Sequence, residues 1–168
     1  MITQASKLIH LPVAAEDALS KVGIIKDIIV DPETGVLLGF LVIVGLFTPA
    51  MALSVRDIKF WDQDAIITAS EENLVNPAEI IRIKHVLDQK INLMNLPAET
   101  ENGKSLGFVE DFIIDTETES VTAYHLRDLL GSTRIIPADK VIKIDQKIIF
   151  QNDDETINAE NIGEVSLA

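Results

Sequence analysis

The chain repeats itself, and no other feature constrains its fold as strongly. Gly23-Ile24-Ile25-Lys26-Asp27-Ile28-Ile29-Val30-Asp31-Pro32-Glu33-Thr34 returns 84 positions later as Gly107-Phe108-Val109-Glu110-Asp111-Phe112-Ile113-Ile114-Asp115-Thr116-Glu117-Thr118. Further on, with the offset shortened to 83, Leu53, Ile58, Trp61, Asp62, Gln63, Ile66 and Ile67 face Ile136, Val141, Ile144, Asp145, Gln146, Ile149 and Phe150. A fixed-period duplication means one small structural unit built twice. The 168 residues, 47% of them hydrophobic, supply enough chain and apolar surface for two small domains with a real core.

Each copy reads as β structure. Ile24 to Val30 and Phe108 to Ile114 are β-branched and aromatic runs of strand length. In the first copy Asp31-Pro32-Glu33-Thr34-Gly35 leads directly into Val36 to Val44, which predicts a hairpin. Pro32 presets φ, Asp31 can accept a hydrogen bond from a following amide, and Gly35 can close the loop at positive φ. The second copy carries Glu119 where Gly35 stands, so that turn either changes its loop or stores about 1 kcal/mol of strain. Asn102-Gly103 signals another hairpin, ahead of Phe108. Helix is predicted at the seam, with Asn76 as cap, Pro77 in the first helical position, Glu79 three residues after the cap, and Ile80, Ile83 and Leu87 on one face up to Asp88. A short helical turn is predicted at Gln4 to Ile9. The acidic stretch Gln151 to Ala168 is expected to be peripheral.

Val36 to Leu53 contains no charged side chain over eighteen residues, a length at the edge of the membrane-spanning range. Its counterpart, Ser120 to Ile136, holds His125, Arg127, Asp128 and Arg134 and cannot cross a bilayer. If both copies share one fold, the uncharged stretch is two apolar strands bent near Gly45.

Composition removes several functions. There is no cysteine, hence no disulfide, thiolate site or thiol nucleophile. A net charge of −13 opposes a phosphate-binding face. The closest basic recurrence, Lys140, Lys143 and Lys147, is interrupted by Asp139 and Asp145, so direct nucleic-acid binding is disfavoured. His10, His85 and His125 lie at no metal-ligand spacing, and His125 reads as a surface or interface residue. Neither hairpin turn has calcium-loop spacing, and no G-x-S-x-G, Walker or G-x-G-x-x-G motif occurs. The expectation is a protein without catalytic residues, metal or cofactor. No secretory signal is visible at the N-terminus, which fits a cytoplasmic location. Asp27 and Asp111 sit mid-strand with apolar neighbours of the same parity, Ile25 and Ile29 in the first copy, and are expected to anchor turn amides.

The repeated frame resembles the PRC-barrel, a family named from the cytoplasmic domain of the photosynthetic reaction centre H subunit. Gly23, Asp27, Asp31, Thr34, Gly35 and Gly39 occupy the family's positions in the first copy. Gly107, Asp111, Asp115 and Thr118 do so in the second, where Glu119 and Ala123 replace the later glycines. The resemblance implies a mainly β chain of two tandem, partly open β-barrels joined by a short linker helix. The boundaries expected are 1–75 for the first barrel, 76–90 for the linker, 91–150 for the second barrel and 151–168 for the tail. It also implies binding or assembly rather than catalysis. One set of relatives sits on the reaction centre, another forms half of a ribosome maturation factor that binds a small-subunit ribosomal protein, and many stand alone. The stand-alone tandem form fits best, because neither the membrane helix of the H subunit nor the other domain of the maturation factor is seen.

One asymmetry separates the copies. Leu37 to Val44 is apolar on both strand parities, whereas a strand buried on one face should alternate. Leu41, Ile43, Leu46, Phe47 and Met51 are therefore the candidate interface. The second face of this hairpin would be covered by the other copy and the seam helix, or by a second chain in a homodimer or with another protein. The alternatives are a ribosome-associated or RNA-processing adaptor acting through a ribosomal protein contact, and a membrane-peripheral adaptor. A small-ligand carrier would need a cavity with converging polar groups.

Overall fold

In the computed structural model of the chain, residues 1–152 are described. The expected peripheral tail therefore lies, from residue 153 onward, outside the described residues.

The β-branched runs form the strands that the repeat predicts. The first copy supplies β2 (Pro12–Ala15), β3 (Ser20–Val30), β4 (Leu37–Ile43), β5 (Met51–Ser54), β6 (Ile58–Trp61), β7 (Ile66–Thr68) and β8 (Leu74–Val75). They make one sheet in the order β6-β7-β2-β3-β4-β5-β8. The second copy supplies β9 (Pro97–Thr100), β10 (Ser105–Asp115), β11 (Ser120–Arg127), β12 (Thr133–Pro137), β13 (Val141–Ile144) and β14 (Ile148–Phe150), and its sheet repeats the order as β13-β14-β9-β10-β11-β12. Within each sheet one pair is parallel, with Val13 opposite Ile66 and Ala98 opposite Ile148. That pairing corrects the sequence register at the last strand, where Ile66 matches Ile148 rather than Ile149. The preceding turn is one residue shorter in the second copy: Asp62 N–H bonds to the Ala65 carbonyl, whereas Asp145 N–H bonds to that of Lys147.

The uncharged stretch is β4, a loop and β5, and no helix among the described residues is long and apolar enough to cross a membrane. The seam is helical in two pieces. Asn76 Oδ1 accepts from Ala78 N–H at 2.9 Å and caps a 3-10 turn, Pro77–Glu79, while α2 starts only at Ile81 and runs to Asp88. The cap is at Asn76 as the sequence predicts, but it serves a 3-10 turn and not the α-helix that follows. The N-terminal turn is α1, Ala5–Leu8, preceded by β1, Ile2–Gln4.

The copies interlock. β1 leaves its own sheet and pairs antiparallel with β10, Ile2 opposite Asp115 and Gln4 opposite Ile113. In the opposite direction, Ile83 and Val86 of α2, just ahead of the second copy, pack on Ile29, Leu38 and Ala52 of the first. Between them, Leu37 N–H donates to the Glu119 carbonyl at 2.8 Å and Val121 N–H to the Gly35 carbonyl at 2.9 Å. The two bonds are the same bond under the repeat, so they mark a pseudo-twofold axis. Glu119 keeps the loop conformation of Gly35, with φ of 52° against 71°, and so adopts the strained alternative. The main hydrophobic cluster spans both copies, from Ile25, Phe40 and Leu53 to Phe112, Tyr124 and Leu126.

Candidate functional site

The loop between β4 and β5 holds the apolar residues that strand alternation could not place. It is a folded turn, with Thr48 Oγ1 donating to the Gly45 carbonyl at 3.2 Å. Leu46 and Phe47 stand at its tip, 90% and 94% exposed. Ile43 and Val44 below them are exposed, whereas Leu41 is half-buried against the α2 cluster and Met51 against the main core. The five candidate interface residues are thus not one surface. The second face of the hairpin is covered within the chain, since α2 lies over Leu38 and Ala52. The tip, with Ile43 and Val44 below it, is left in water.

The second copy carries an equivalent tip. Between β11 and β12, Leu129 and Leu130 are 89% and 94% exposed, with Phe108 exposed at the same end. The turn is ordered by Asp128, whose Oδ1 accepts from the amides of Leu130 and Ser132, each at 2.9 Å. Sequence reading missed this pair because His125, Arg127, Asp128 and Arg134 give the segment a polar appearance. The signal was available: the repeat sets this loop against the one holding Leu46 and Phe47. The bridge between Val36 and Ser120 is antiparallel, so β4 and β11 run away from each other and carry their loops to opposite ends. His125 is half-buried rather than on the surface, and its Nε2 has no hydrogen-bond partner among the described residues.

The motif residues build the turns and the interlock. Bulges at Lys26 and Glu110, where Ile25 faces Val42 but Asp27 faces Leu41, reset the strand alternation. Asp27 consequently points to water and, among the described residues, accepts only from Ile28 N–H at 2.8 Å, which corrects the apolar face inferred from strict parity. Asp111 is 6% exposed and accepts from Phe112 N–H at 2.8 Å, Ser6 N–H at 3.1 Å and Ser6 Oγ at 2.5 Å. It therefore fastens α1 to the second barrel. Asp31 Oδ1 accepts from Glu33 N–H and Asp115 Oδ1 from Glu117 N–H, both at 3.0 Å. Thr34 Oγ1 accepts from Val36 N–H, and the Thr118 hydroxyl lies 2.8 Å from that of Ser120. Arg82 of α2 reaches Asp31 Oδ2 at 2.9 Å. Burial works to raise the Asp31 pKa, but Arg82, the Glu33 amide and the Thr34 hydroxyl outweigh it and hold the carboxyl below its ordinary value. Gly23 and Gly107 admit close backbone contact: a Cβ on Gly107 would sit 2.1 Å from the Arg127 carbonyl oxygen, and one on Gly23 2.8 Å from that of Ile43.

Fold and loops together define a duplicated small-barrel module that presents folded apolar tips. The family model of the PRC-barrel domain matches residues 3–74 and again residues 92–158. The chain belongs to the PRC-barrel family, as a tandem of two such domains. No curated protein matches it.

Proposed function

We propose that the protein is a non-catalytic assembly module that docks a partner protein through its apolar loop tips. The observation that carries this reading is the near-complete exposure of Leu46 and Phe47 on a hydrogen-bonded turn. Holding two large apolar side chains in water offers a binding gain of about 1.5–3 kcal/mol each on burial. A stable interface takes about 800 Å² from each partner, so a tip of this size acts as its anchor and the surrounding surface completes it. The equivalent tip at Leu129 and Leu130 supports bridging, because it faces the other way.

The test uses the full chain and its Leu46→Asp/Phe47→Asp variant in sedimentation velocity and in affinity purification from the native host. The expected result is an unchanged melting temperature with loss of the self-associated species or of the partner that the wild type retains. Variants that keep the same sedimentation profile and the same co-purifying proteins refute the reading. Flotation with vesicles of neutral lipid separates a membrane surface from a protein: flotation abolished by the same substitutions assigns the tip to lipid instead.

A further inference from the structure

The two copies differ at one core position in a way the fold does not require. Phe40 and Tyr124 are equivalent: Phe40 pairs with Ile28 and Leu53, and Tyr124 with Phe112 and Ile136. In the first barrel the Phe40 ring meets Trp61 edge-on, centroids 5.7 Å apart. The place of Trp61 is taken in the second barrel by Ile144, each facing the first residue of the adjoining strand, Ile66 or Ile148. Tyr124 leans instead on Phe150, at 5.9 Å, on the side where the first barrel has Thr68. A cleft of about 710 Å³ lies beside Tyr124 and Ile144. It lies where the second barrel meets the first hairpin turn and the end of α2, a junction typical of ligand pockets, and its size is within their range.

The Tyr124 side chain is 1% exposed and lines this cleft. No hydrogen bond is made to its hydroxyl among the described residues. Phe40 shows that the barrel closes without a hydroxyl here, and the Tyr124 hydroxyl is not among the side-chain atoms sealed from solvent without a partner, so it is open to a molecule in the cleft. Burial also pushes the phenol pKa up, so the group keeps its proton and offers it as a donor. Ile91, Val121 and Val141 contribute apolar surface, but more of the accessible lining is polar than apolar, and Glu33, Lys143 and Asp145 belong to it, acids outnumbering the one cation. Lys143 is moreover paired with Asp145 at 3.3 Å. An anion is disfavoured by those acids and by the net charge of −13.

We infer that the cleft between the barrels binds a non-anionic molecule of mixed polarity through a carbonyl oxygen that accepts a hydrogen bond from Tyr124. This site is separate from the loop tips and independent of what they bind.

The probe is 6-propionyl-2-dimethylaminonaphthalene, an uncharged naphthalene with one carbonyl, titrated by fluorescence into the full chain. One saturable, blue-shifted site per chain is expected. Tyr124→Phe, which copies the first barrel, should keep the melting temperature and weaken binding about five- to tenfold, the loss of one hydrogen bond. Ile144→Trp, which restores the Phe40–Trp61 type of packing, should abolish saturable binding, while Leu46→Asp/Phe47→Asp should leave it unchanged. The inference is overturned if the wild type shows no saturation, if Tyr124→Phe binds as tightly as the wild type, or if the loop variant loses the dye. Should Ile144→Trp fail to fold, the Tyr124→Phe titration decides alone.

Discussion

Asp27 and Asp111 hold the same place in the repeat, yet their surroundings differ, and the cost of losing them should differ with it. Asp111 is buried and accepts three hydrogen bonds, one of them, from Phe112 N–H, fully inside the protein. A hydrogen bond to a charged acceptor contributes about 1.5–3 kcal/mol when it cannot be replaced by water, so the Phe112 bond is set at about 2 kcal/mol. The two from Ser6 are partly accessible and add roughly 0.5–1 kcal/mol each, while removal of the carboxylate relieves about 1 kcal/mol of its own desolvation. Asp111→Ala is therefore expected to cost about 2–3 kcal/mol. Asp27 is exposed and accepts a single amide bond, so Asp27→Ala should cost no more than about 0.5 kcal/mol. Urea unfolding followed by fluorescence of Trp61, the only tryptophan, measures both, with the slope unchanged if each variant unfolds as one unit. On heating, the gap corresponds to roughly 2–4 °C per kcal/mol for a chain of this size. A double-mutant cycle sharpens the assignment: Ser6→Ala should destabilise the wild type but be nearly silent in the Asp111→Ala background. Equal costs at the two aspartates, or additive losses in the cycle, would refute the account of Asp111 as the clamp that ties α1 to the second barrel.

Two further outcomes follow from the interlock. Arg82→Ala removes the partner of Asp31; because Arg82 is about half exposed, the loss at neutral pH should be roughly 0.5–1 kcal/mol. The Asp31 carboxyl is depressed below its ordinary value of 3.8, so its contribution is present above that pH and lost as the pH falls through the folded-state value; wild-type and variant stabilities should converge below it in acid titrations monitored by circular dichroism. Glu119→Gly relieves a non-glycine residue at φ of 52° and should stabilise by about 0.5–1 kcal/mol net of the entropy glycine adds to the unfolded chain, whereas Gly35→Glu should cost about 1 kcal/mol; a melting temperature that falls in Glu119→Gly contradicts the strain reading.

Local patterning in the sequence reports what neighbouring residues in the chain do, and at that range the reading holds. The strand runs, the Asn102-Gly103 turn with Gly103 at φ of 79°, and the positive φ inherited by Glu119 all depend on a few consecutive residues. Errors arose where one residue is inserted or removed. The bulge at Lys26 turns Asp27 toward water, and the shorter turn after Asp145 shifts the last strand by one position. A period of two has no memory of such a slip. Leu129 and Leu130 are masked in the sequence by the charged residues around them, Arg127, Asp128 and Arg134.

By itself the sequence determined a duplicated, mainly β chain with a helix at the seam, because repeat frames, β-branched runs and turn residues act through adjacent positions. Only the tertiary structure decided that β1 crosses to the other sheet and that α2 rather than a second chain covers the apolar hairpin. It also decided that Leu46, Phe47, Leu129 and Leu130 stand almost fully exposed on two loop tips and that Ile144, in the place of Trp61, lines a cleft beside Tyr124. Each of these is a contact, or a missing contact, between residues distant in the chain. Burial is a property of the packed pair, and no pattern along one strand specifies the partner that will cover it.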